Sequence, residues 1–326
     1  MATVRRFYLY LVALISLMAL MAGLIDLSVG LVRLALNAPP LAIDGVTVAG
    51  GDLGLTALVV LISAPIWGLH WWLANRRARA LTMAGAPAAS LRGRSAERSA
   101  ATRKAYFYAG RFGALAASAG LAGLLIYELL APRLHAPAVA GGWPAGPLSL
   151  AAGLLVAFLF WLYLYRASRA DGDAGHERDA GAGWRRAYDY LGLWLATVAA
   201  AAGAVGILQA GLLLAGRILI GGSAGLTAAG DWRIELAAGL AALIVGLPIA
   251  VWHWRLADWV VADDPTGSEI NSLGRKFALY TLLLGGVAVS VLSIAYLVMV
   301  STLLLLGQPV DDLAAVWERT VAPLLG

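Results

Sequence analysis

Residues 7–35 read FYLYLVALISLMALMAGLIDLSVGLVRLA, an apolar run whose charged residues are Asp26 and Arg33 alone. A helix rises about 1.5 Å per residue, so a run of this length can cross a hydrocarbon core about 30 Å thick. Inside lipid, only helices and closed barrels satisfy all of their backbone hydrogen bonds. The run therefore predicts a membrane-spanning helix.

Six further apolar runs follow the first. The seven runs cover residues 7–35, 53–74, 105–130, 147–166, 187–220, 233–256 and 276–306. The chain is 61% hydrophobic and 13% charged, whereas soluble domains carry about 25% charged residues. We therefore expect an all-α integral membrane protein with seven transmembrane helices.

The segments between these runs are too short to form a soluble catalytic domain. The sequence also contains no cysteine, which excludes thiol catalysis and disulfides. We therefore expect no enzymatic activity, no metal site and no resident cofactor.

Lysine and arginine residues concentrate in the N-terminal segment and in the connections after the second, fourth and sixth runs. Cytoplasmic loops carry such an excess. The expected orientation has the N-terminus inside and the C-terminus outside, in the cytoplasmic (inner) membrane of a prokaryote. The same rule accounts for the net charge of +5 without nucleic acid, so membrane lipids are the expected partners of the basic loops. Arg111 lies just inside the third run, so it is assigned neither to the cytoplasmic nor to the outer connections.

Four of the runs open with a basic pair followed by aromatic residues. The openings are Arg5-Arg6-Phe7-Tyr8-Leu9-Tyr10, Arg103-Lys104-Ala105-Tyr106-Phe107-Tyr108, Arg185-Arg186-Ala187-Tyr188-Asp189-Tyr190 and Arg275-Lys276-Phe277-Ala278-Leu279-Tyr280. In addition, Pro65-Ile66-Trp67-Gly68-Leu69-His70-Trp71 aligns with Pro248-Ile249-Ala250-Val251-Trp252-His253-Trp254. These matches predict two-helix units at 1–80, 98–170 and 181–260 and a half unit with a tail at 272–326. Units with two spans each enter the membrane in the same direction, which makes them parallel repeats.

The half unit lacks an eighth helix. An apolar stripe in residues 310–326 instead predicts a short interfacial helix on the outer surface. The vacant position could hold lipid, a partner helix or a second copy of the chain.

The basic and aromatic openings and the Pro, His and Trp ending resemble the prokaryotic multi-pass membrane proteins catalogued as domain of unknown function 5671. The resemblance covers units one and three, part of unit two and half of unit four. It implies the multi-pass fold, and it implies no activity because the family has none assigned.

His70 and His253 occupy equivalent positions in units one and three. Two such imidazoles could ligate a haem between helices. Alternatively, each is part of a His-Trp pair that anchors a helix end at the membrane interface.

Asp26 and Glu128 are carboxylates within apolar runs, where such residues often mark ion or proton paths. Gln209 would be a further polar residue on such a path. Alternatively, the two carboxylates form ion pairs near the outer boundary with Arg33 and Arg217.

Small residues recur at helical spacing on two runs. They are Gly113, Ala116, Gly120 and Gly123 on the third run and Ala196, Ala200, Gly203 and Gly206 on the fifth. Such stripes allow close packing between membrane helices.

Three functions follow from these observations. The leading hypothesis is a non-enzymatic scaffold, sensor or accessory subunit that binds lipid or partner helices. The alternatives are a small transporter or channel that uses Asp26 and Glu128, and a haem-binding electron carrier that uses His70 and His253.

Overall fold

The seven apolar runs of the sequence lie within helices, the last of them as far as residue 305, where the described residues end. The structure is a computed structural model that describes residues 2–43, 46–80, 100–171, 180–220, 231–264 and 267–305. Within these ranges the helices are α1 (Ala2–Ala35), α2 (Leu53–Ala80), α3 (Ala101–Leu134), α4 (Ala145–Ala170), α5 (Ala180–Ile220), α6 (Trp232–Ala262) and α7 (Leu273–Leu305). The six helices α1 to α6 are long and apolar enough to cross a membrane. The role of α7 as a seventh span stays a prediction, and the predicted interfacial helix at 310–326 lies outside the described residues.

The first six helices pack in consecutive pairs, α1 with α2, α3 with α4 and α5 with α6. The helices α4 and α6 have a second neighbour, because α4 also packs on α1 and α6 also packs on α3. Contacts between α1 and α3, between α3 and α5, and between α5 and α7 complete the arrangement. The odd-numbered helices therefore form a central row, and the even-numbered helices flank it.

Many large apolar side chains point away from the protein. Leu61 of α2 and Leu284 of α7 are 74% and 73% exposed. Contiguous apolar surface of this kind is rare on soluble monomers, but it is the ordinary surface of a helix that faces lipid tails. The exposed surface therefore fits a membrane protein.

The closest helix pair is α5 with α6. A β-carbon built on Gly203 would come within 2.6 Å of the backbone nitrogen of Leu243, and one on Gly239 within 2.8 Å of the backbone oxygen of Gly203. A β-carbon built on Gly206 would lie 3.3 Å from the Cα atom of Gly239. The prediction of close packing is confirmed for Gly203 and Gly206.

The same prediction for α3 is wrong at three of its four positions. Ala116 is exposed, and a β-carbon on Gly120 or Gly123 would meet no described atom within 4 Å. Only Gly113 of this stripe lies against a neighbour, the Met18 side chain of α1. Helical spacing identifies a common face of a helix, but it does not show which stretch of that face another helix covers.

A β-hairpin that the sequence analysis did not predict follows α1. Its strands β1 (Leu41–Ile43) and β2 (Val46–Ala49) pair in antiparallel fashion, with Ala42 opposite Thr47. The hairpin lies at the end of α1 that carries Asp26 and Arg33, so it contributes to the surroundings of both side chains.

Candidate functional site

Arg111 is a buried cation on α3. It lies ten residues after the first residue of the helix, which corresponds to about 15 Å along the axis, and it is 6% exposed. Its guanidinium carbon lies 5.4 Å from the ring centroid of Tyr108, 5.1 Å from that of Tyr165 and 4.4 Å from that of Tyr188. Three tyrosine rings from α3, α4 and α5 therefore surround one positive charge.

The charge of Arg111 is not neutralised by a carboxylate in the described part of the chain, and its buried Nε atom has no hydrogen-bond partner there. A charged side chain inside a membrane span is costly. Contacts with aromatic faces offset only part of this cost, about 0.5–2 kcal/mol each. Arg111 is therefore a cation with unused capacity to bind an anion.

A cavity of about 210 Å³ adjoins Arg111, and we call it the arginine cavity. It lies between α3, α4, α5 and α6. Its lining consists of Tyr108, Arg111, Tyr165, Ser168, Arg169, Arg185, Asp189, Trp252, Leu256 and Trp259. The lining contains three arginines against one aspartate. The electrostatic potential of the cavity therefore favours anions.

Among the residues that the structure describes, Arg185 is the one cavity arginine with carboxylate partners. Its Nη1 atom lies 3.5 Å from Oδ2 of Asp189, and its other arm donates to Oε1 of Glu269. Glu269 also accepts a 2.9 Å hydrogen bond from Nε of Arg186. Arg169, in contrast, contacts the Tyr165 ring at 5.2 Å. The unneutralised charge in the cavity therefore belongs to Arg111 and Arg169.

A second cavity, of about 240 Å³, lies next to the first, and we call it the apolar cavity. Its lining consists of Leu115, Ser118, Phe158, Trp161, Tyr188, Pro248, Ile249, Trp252 and His253. Trp252 lines both cavities. The Ser118 hydroxyl donates a 2.7 Å hydrogen bond to the Ala114 carbonyl oxygen of its own helix. This hydroxyl therefore needs no water or ligand.

The two histidines of the haem hypothesis have different neighbours. His253 is buried; its ring centroid lies 5.2 Å from that of Tyr188, and its Nδ1 atom lies 4.0 Å from Oδ1 of Asp189. His70 is partly exposed, with Nδ1 at 2.7 Å from the carbonyl oxygen of Ile66 and its ring 5.9 Å from that of Tyr8. None of the described contacts joins the two imidazoles, and the haem hypothesis stays a prediction.

Asp26 binds the segment that follows the β-hairpin. Its two carboxylate oxygens accept hydrogen bonds from the backbone N–H of Gly50 and from the Thr56 hydroxyl of α2. The carboxylate therefore joins α1 to the start of α2. These contacts satisfy both oxygens without an ion.

Glu128 and Arg33 bind one loop from two sides. The Oε1 atom of Glu128, which is 2% exposed, accepts hydrogen bonds from the backbone N–H groups of Val139, at 2.5 Å, and of Ala140. Nη1 of Arg33 donates to the Ala140 carbonyl oxygen at 2.9 Å, and its Nε atom donates to the Pro39 carbonyl oxygen. The predicted pairing of the two charges is therefore indirect, because both bind the peptide groups around Ala140.

The other predicted polar residues do not join these groups. Gln209 on α5 is exposed, and the side chain of Arg217 lies outside what the structure describes. The sequence analysis did not predict that the residues of the arginine cavity form a site. Arg111 had a signal, since a charge within an apolar run marks a functional position. Tyr188 and Trp252 belong to the repeated motifs, but neither motif predicts that they meet Arg111 and Tyr165, because this depends on how four helices pack.

Comparison with known proteins identifies the family to which the chain belongs. The family model described as Domain of unknown function (DUF5671) matches residues 6–152 and 210–325. Neither the curated proteins nor the solved structures contain a match. The matched ranges include Arg111 and Trp252, whereas Tyr165 and Tyr188 lie between them. Because these ranges cover most of the sequence, the chain belongs to the DUF5671 family, as its basic and aromatic repeats predicted.

Proposed function

We propose that this chain is a non-enzymatic multi-pass protein of a prokaryotic cytoplasmic membrane that binds an anion in the arginine cavity. In this function it serves as a sensor, scaffold or accessory subunit whose partners are lipids or other membrane helices. The observation that carries the proposal is Arg111, a buried guanidinium that contacts three tyrosine rings and has no described carboxylate partner.

The chemistry of the site favours an oxyanion. A guanidinium presents five N–H donors in a planar fork that matches phosphate, sulfate or carboxylate oxygens. Hydrogen bonds between ionised partners are about twice as strong as neutral ones, and the surrounding rings keep the local dielectric low. Arg169 adds a second positive charge at the same cavity.

The proposal includes the parallel arrangement of the two-helix units, with the N-terminus of the chain on the cytoplasmic side. Equivalent contacts between successive units support it. Nη2 of Arg103 donates to Oδ1 of Asn75 at 3.1 Å, and the equivalent Arg275 lies 3.9 Å from Asp258, which aligns with Asn75. In this orientation the arginine cavity lies toward the cytoplasmic leaflet, where anionic lipids and soluble anions are both present.

Aromatic contacts support the same repeat. Nε1 of Trp67 donates to the Tyr106 hydroxyl at 3.0 Å, and Nε1 of Trp161 donates to the Tyr188 hydroxyl at 3.4 Å. In each case the second helix of one unit contacts the opening motif of the next. Units at 1–80, 98–170, 181–260 and 272–326 are therefore the proposed division of the chain.

Anion binding is tested by thermal unfolding of the purified protein in a detergent with a neutral head group. A ligand that binds only the folded state raises the melting temperature by mass action. We expect inorganic phosphate, compared with chloride at equal ionic strength, to stabilise the wild type. Arg111→Gln should lose this effect, and Arg133→Gln, which changes an exposed arginine of the same helix, should retain it. Equal stabilisation of wild type and Arg111→Gln would overturn the proposal.

A further inference from the structure

We propose that the anion bound by Arg111 is the head group of an anionic lipid, and that a hydrocarbon chain of this lipid occupies the apolar cavity. This inference rests on the proposed function, because it assigns the ligand of the same site. It adds the apolar cavity, which a soluble anion would leave unused.

The two cavities follow one another along single helix faces. Tyr108, Arg111, Leu115 and Ser118 are spaced three, four and three residues apart, so they lie on one face of α3. The first two line the arginine cavity and the last two line the apolar cavity. Polarity along this face therefore changes from a guanidinium to a leucine within about one turn.

Tyr188 lies at the boundary between the cavities. The guanidinium carbon of Arg111 lies 4.4 Å from its ring centroid, and the same residue lines the apolar cavity. Trp252 of α6 lines both. An elongated molecule can therefore place one end near Arg111 and the other beyond these two rings.

The composition of the apolar cavity suits hydrocarbon. The Tyr188 hydroxyl accepts a hydrogen bond from Trp161, and the Ser118 hydroxyl donates to its own helix. His253 also lines the cavity, and its buried Nδ1 atom has no hydrogen-bond partner in the described part of the chain. The remaining walls are mainly aliphatic and aromatic, including Leu115 and Ile249. The surface that these walls expose to the cavity is nevertheless apolar, and a cavity with an apolar surface does not hold water and binds apolar molecules instead.

The surface exposure of the walls gives the lipid a route of entry. Phe158 of α4 and Trp252 of α6 line the apolar cavity and are also 46% and 50% exposed. Both helices flank the central row, so these rings face the bilayer. A lipid chain can therefore enter sideways between α4 and α6 without leaving the membrane.

The charge of the arginine cavity selects among lipids. Arg111 and Arg169 have no described carboxylate partner, whereas Arg185 is paired with Asp189 and Glu269. A head group with net negative charge is attracted to these two arginines: phosphatidylglycerol, a phosphodiester, offsets one of the two charges, and a phosphate monoester up to both. A zwitterionic head group would place its ammonium near them, which is electrostatically unfavourable.

The first arm of the test compares two lipids with identical chains. The full-length protein, delipidated in neutral detergent, is titrated with dioleoyl phosphatidylglycerol or dioleoyl phosphatidylcholine, and bound lipid is counted by native mass spectrometry. We expect the anionic lipid to bind at least about tenfold more tightly, the equivalent of 1.4 kcal/mol. Equal binding of the two lipids would overturn the inference even where inorganic phosphate still stabilises the protein through Arg111.

The second arm separates a lipid from a free anion. Ile249→Trp fills the apolar cavity, and Ile244→Trp places the same ring on an exposed position of the same helix. We expect Ile249→Trp to weaken phosphatidylglycerol binding about tenfold or more while stabilisation by inorganic phosphate persists. The Ile244→Trp control should bind as the wild type does. Unchanged lipid binding in Ile249→Trp would show that the chain lies elsewhere.

Two further measurements keep the outcomes distinct. If Ile249→Trp does not fold, Leu115→Phe fills the same cavity from α3 and is judged by the same criterion. Arg111→Gln should abolish both lipid and phosphate binding. If both persist in this variant, the proposed function fails together with the inference. If the wild type binds the two lipids equally while Arg111→Gln loses phosphate binding, only the inference is contradicted.

Discussion

The guanidinium carbon of Arg111 lies 4.4 Å from the ring centroid of Tyr188, so a charge of α3 is held by a ring of α5. Neighbouring helices of the central row are therefore joined by an electrostatic contact inside a membrane span. The attraction of a cation to the face of an aromatic ring does not require a hydroxyl group on that ring.

Replacement of Tyr188 tests the contribution of the ring face. We expect Tyr188→Leu to lower the free energy of unfolding by about 1–2 kcal/mol beyond the effect of Tyr188→Phe, because only the leucine variant loses the ring that faces Arg111. Denaturation in detergent, followed by circular dichroism, measures the difference. Equal losses in the two variants would assign the effect to the hydrogen bond from Trp161 instead.

Backbone contact between α5 and α6 leads to a second prediction. In Gly239→Ala the new methyl group would lie 2.8 Å from the Gly203 oxygen and the Ile207 nitrogen, and the two helices must separate. We expect a loss of about 1–3 kcal/mol in unfolding free energy. Gly120→Ala is the control, since its methyl group meets no described atom within 4 Å, and it should be neutral or stabilising by up to about 1 kcal/mol. A neutral Gly239→Ala would contradict the helix packing.

A third prediction concerns Glu128. Glu128→Gln keeps an oxygen acceptor for the backbone N–H groups of Val139 and Ala140, whereas Glu128→Ala leaves both without a partner. We expect Glu128→Ala to cost about 1–3 kcal/mol more for each lost hydrogen bond, as measured by thermal unfolding. Should Glu128→Gln prove as harmful as Glu128→Ala, the negative charge itself would be required, and ion flux through proteoliposomes would become the next measurement.

The basic openings provide a fourth prediction. Arg103 is buried with Asp171, and it also donates to Asn75 and to Tyr10. We expect Arg103→Gln to destabilise the protein by about 3–5 kcal/mol, because it leaves a buried carboxylate unpaired. The equivalent Arg275→Gln should cost about 1 kcal/mol or less, since Asp258 is half exposed. The melting temperatures of the two variants are measured side by side, and Arg103→Gln should have the lower one. A lower melting temperature for Arg275→Gln would contradict this prediction.

The membrane helices could be predicted from the sequence because hydropathy and length alone decide them. The run at 7–35, for example, lies within the helix Ala2–Ala35. The β-hairpin escaped prediction because its strands are only three and four residues long, too short for an alternating pattern to be recognised.

Equivalent positions in the sequence do not have equivalent surroundings, as His70 and His253 show. Helix α4 packs on α1 as well as on α3, and α6 packs on α3 as well as on α5. In the described part of the chain, the main helix neighbour of α2 is α1. His70 is therefore partly exposed while His253 is buried, and this difference arises from position in the array, which the local sequence does not encode.

The arrangement of the helix pairs also bears on how the protein is made. Among the described residues, the main contacts join helices that are at most three places apart in chain order. A ribosome delivers the helices one after another at about 5–20 residues per second, so each pair can dock on the pair before it within seconds of synthesis. No helix has to wait in the bilayer for a distant partner, and assembly can proceed in the order of translation.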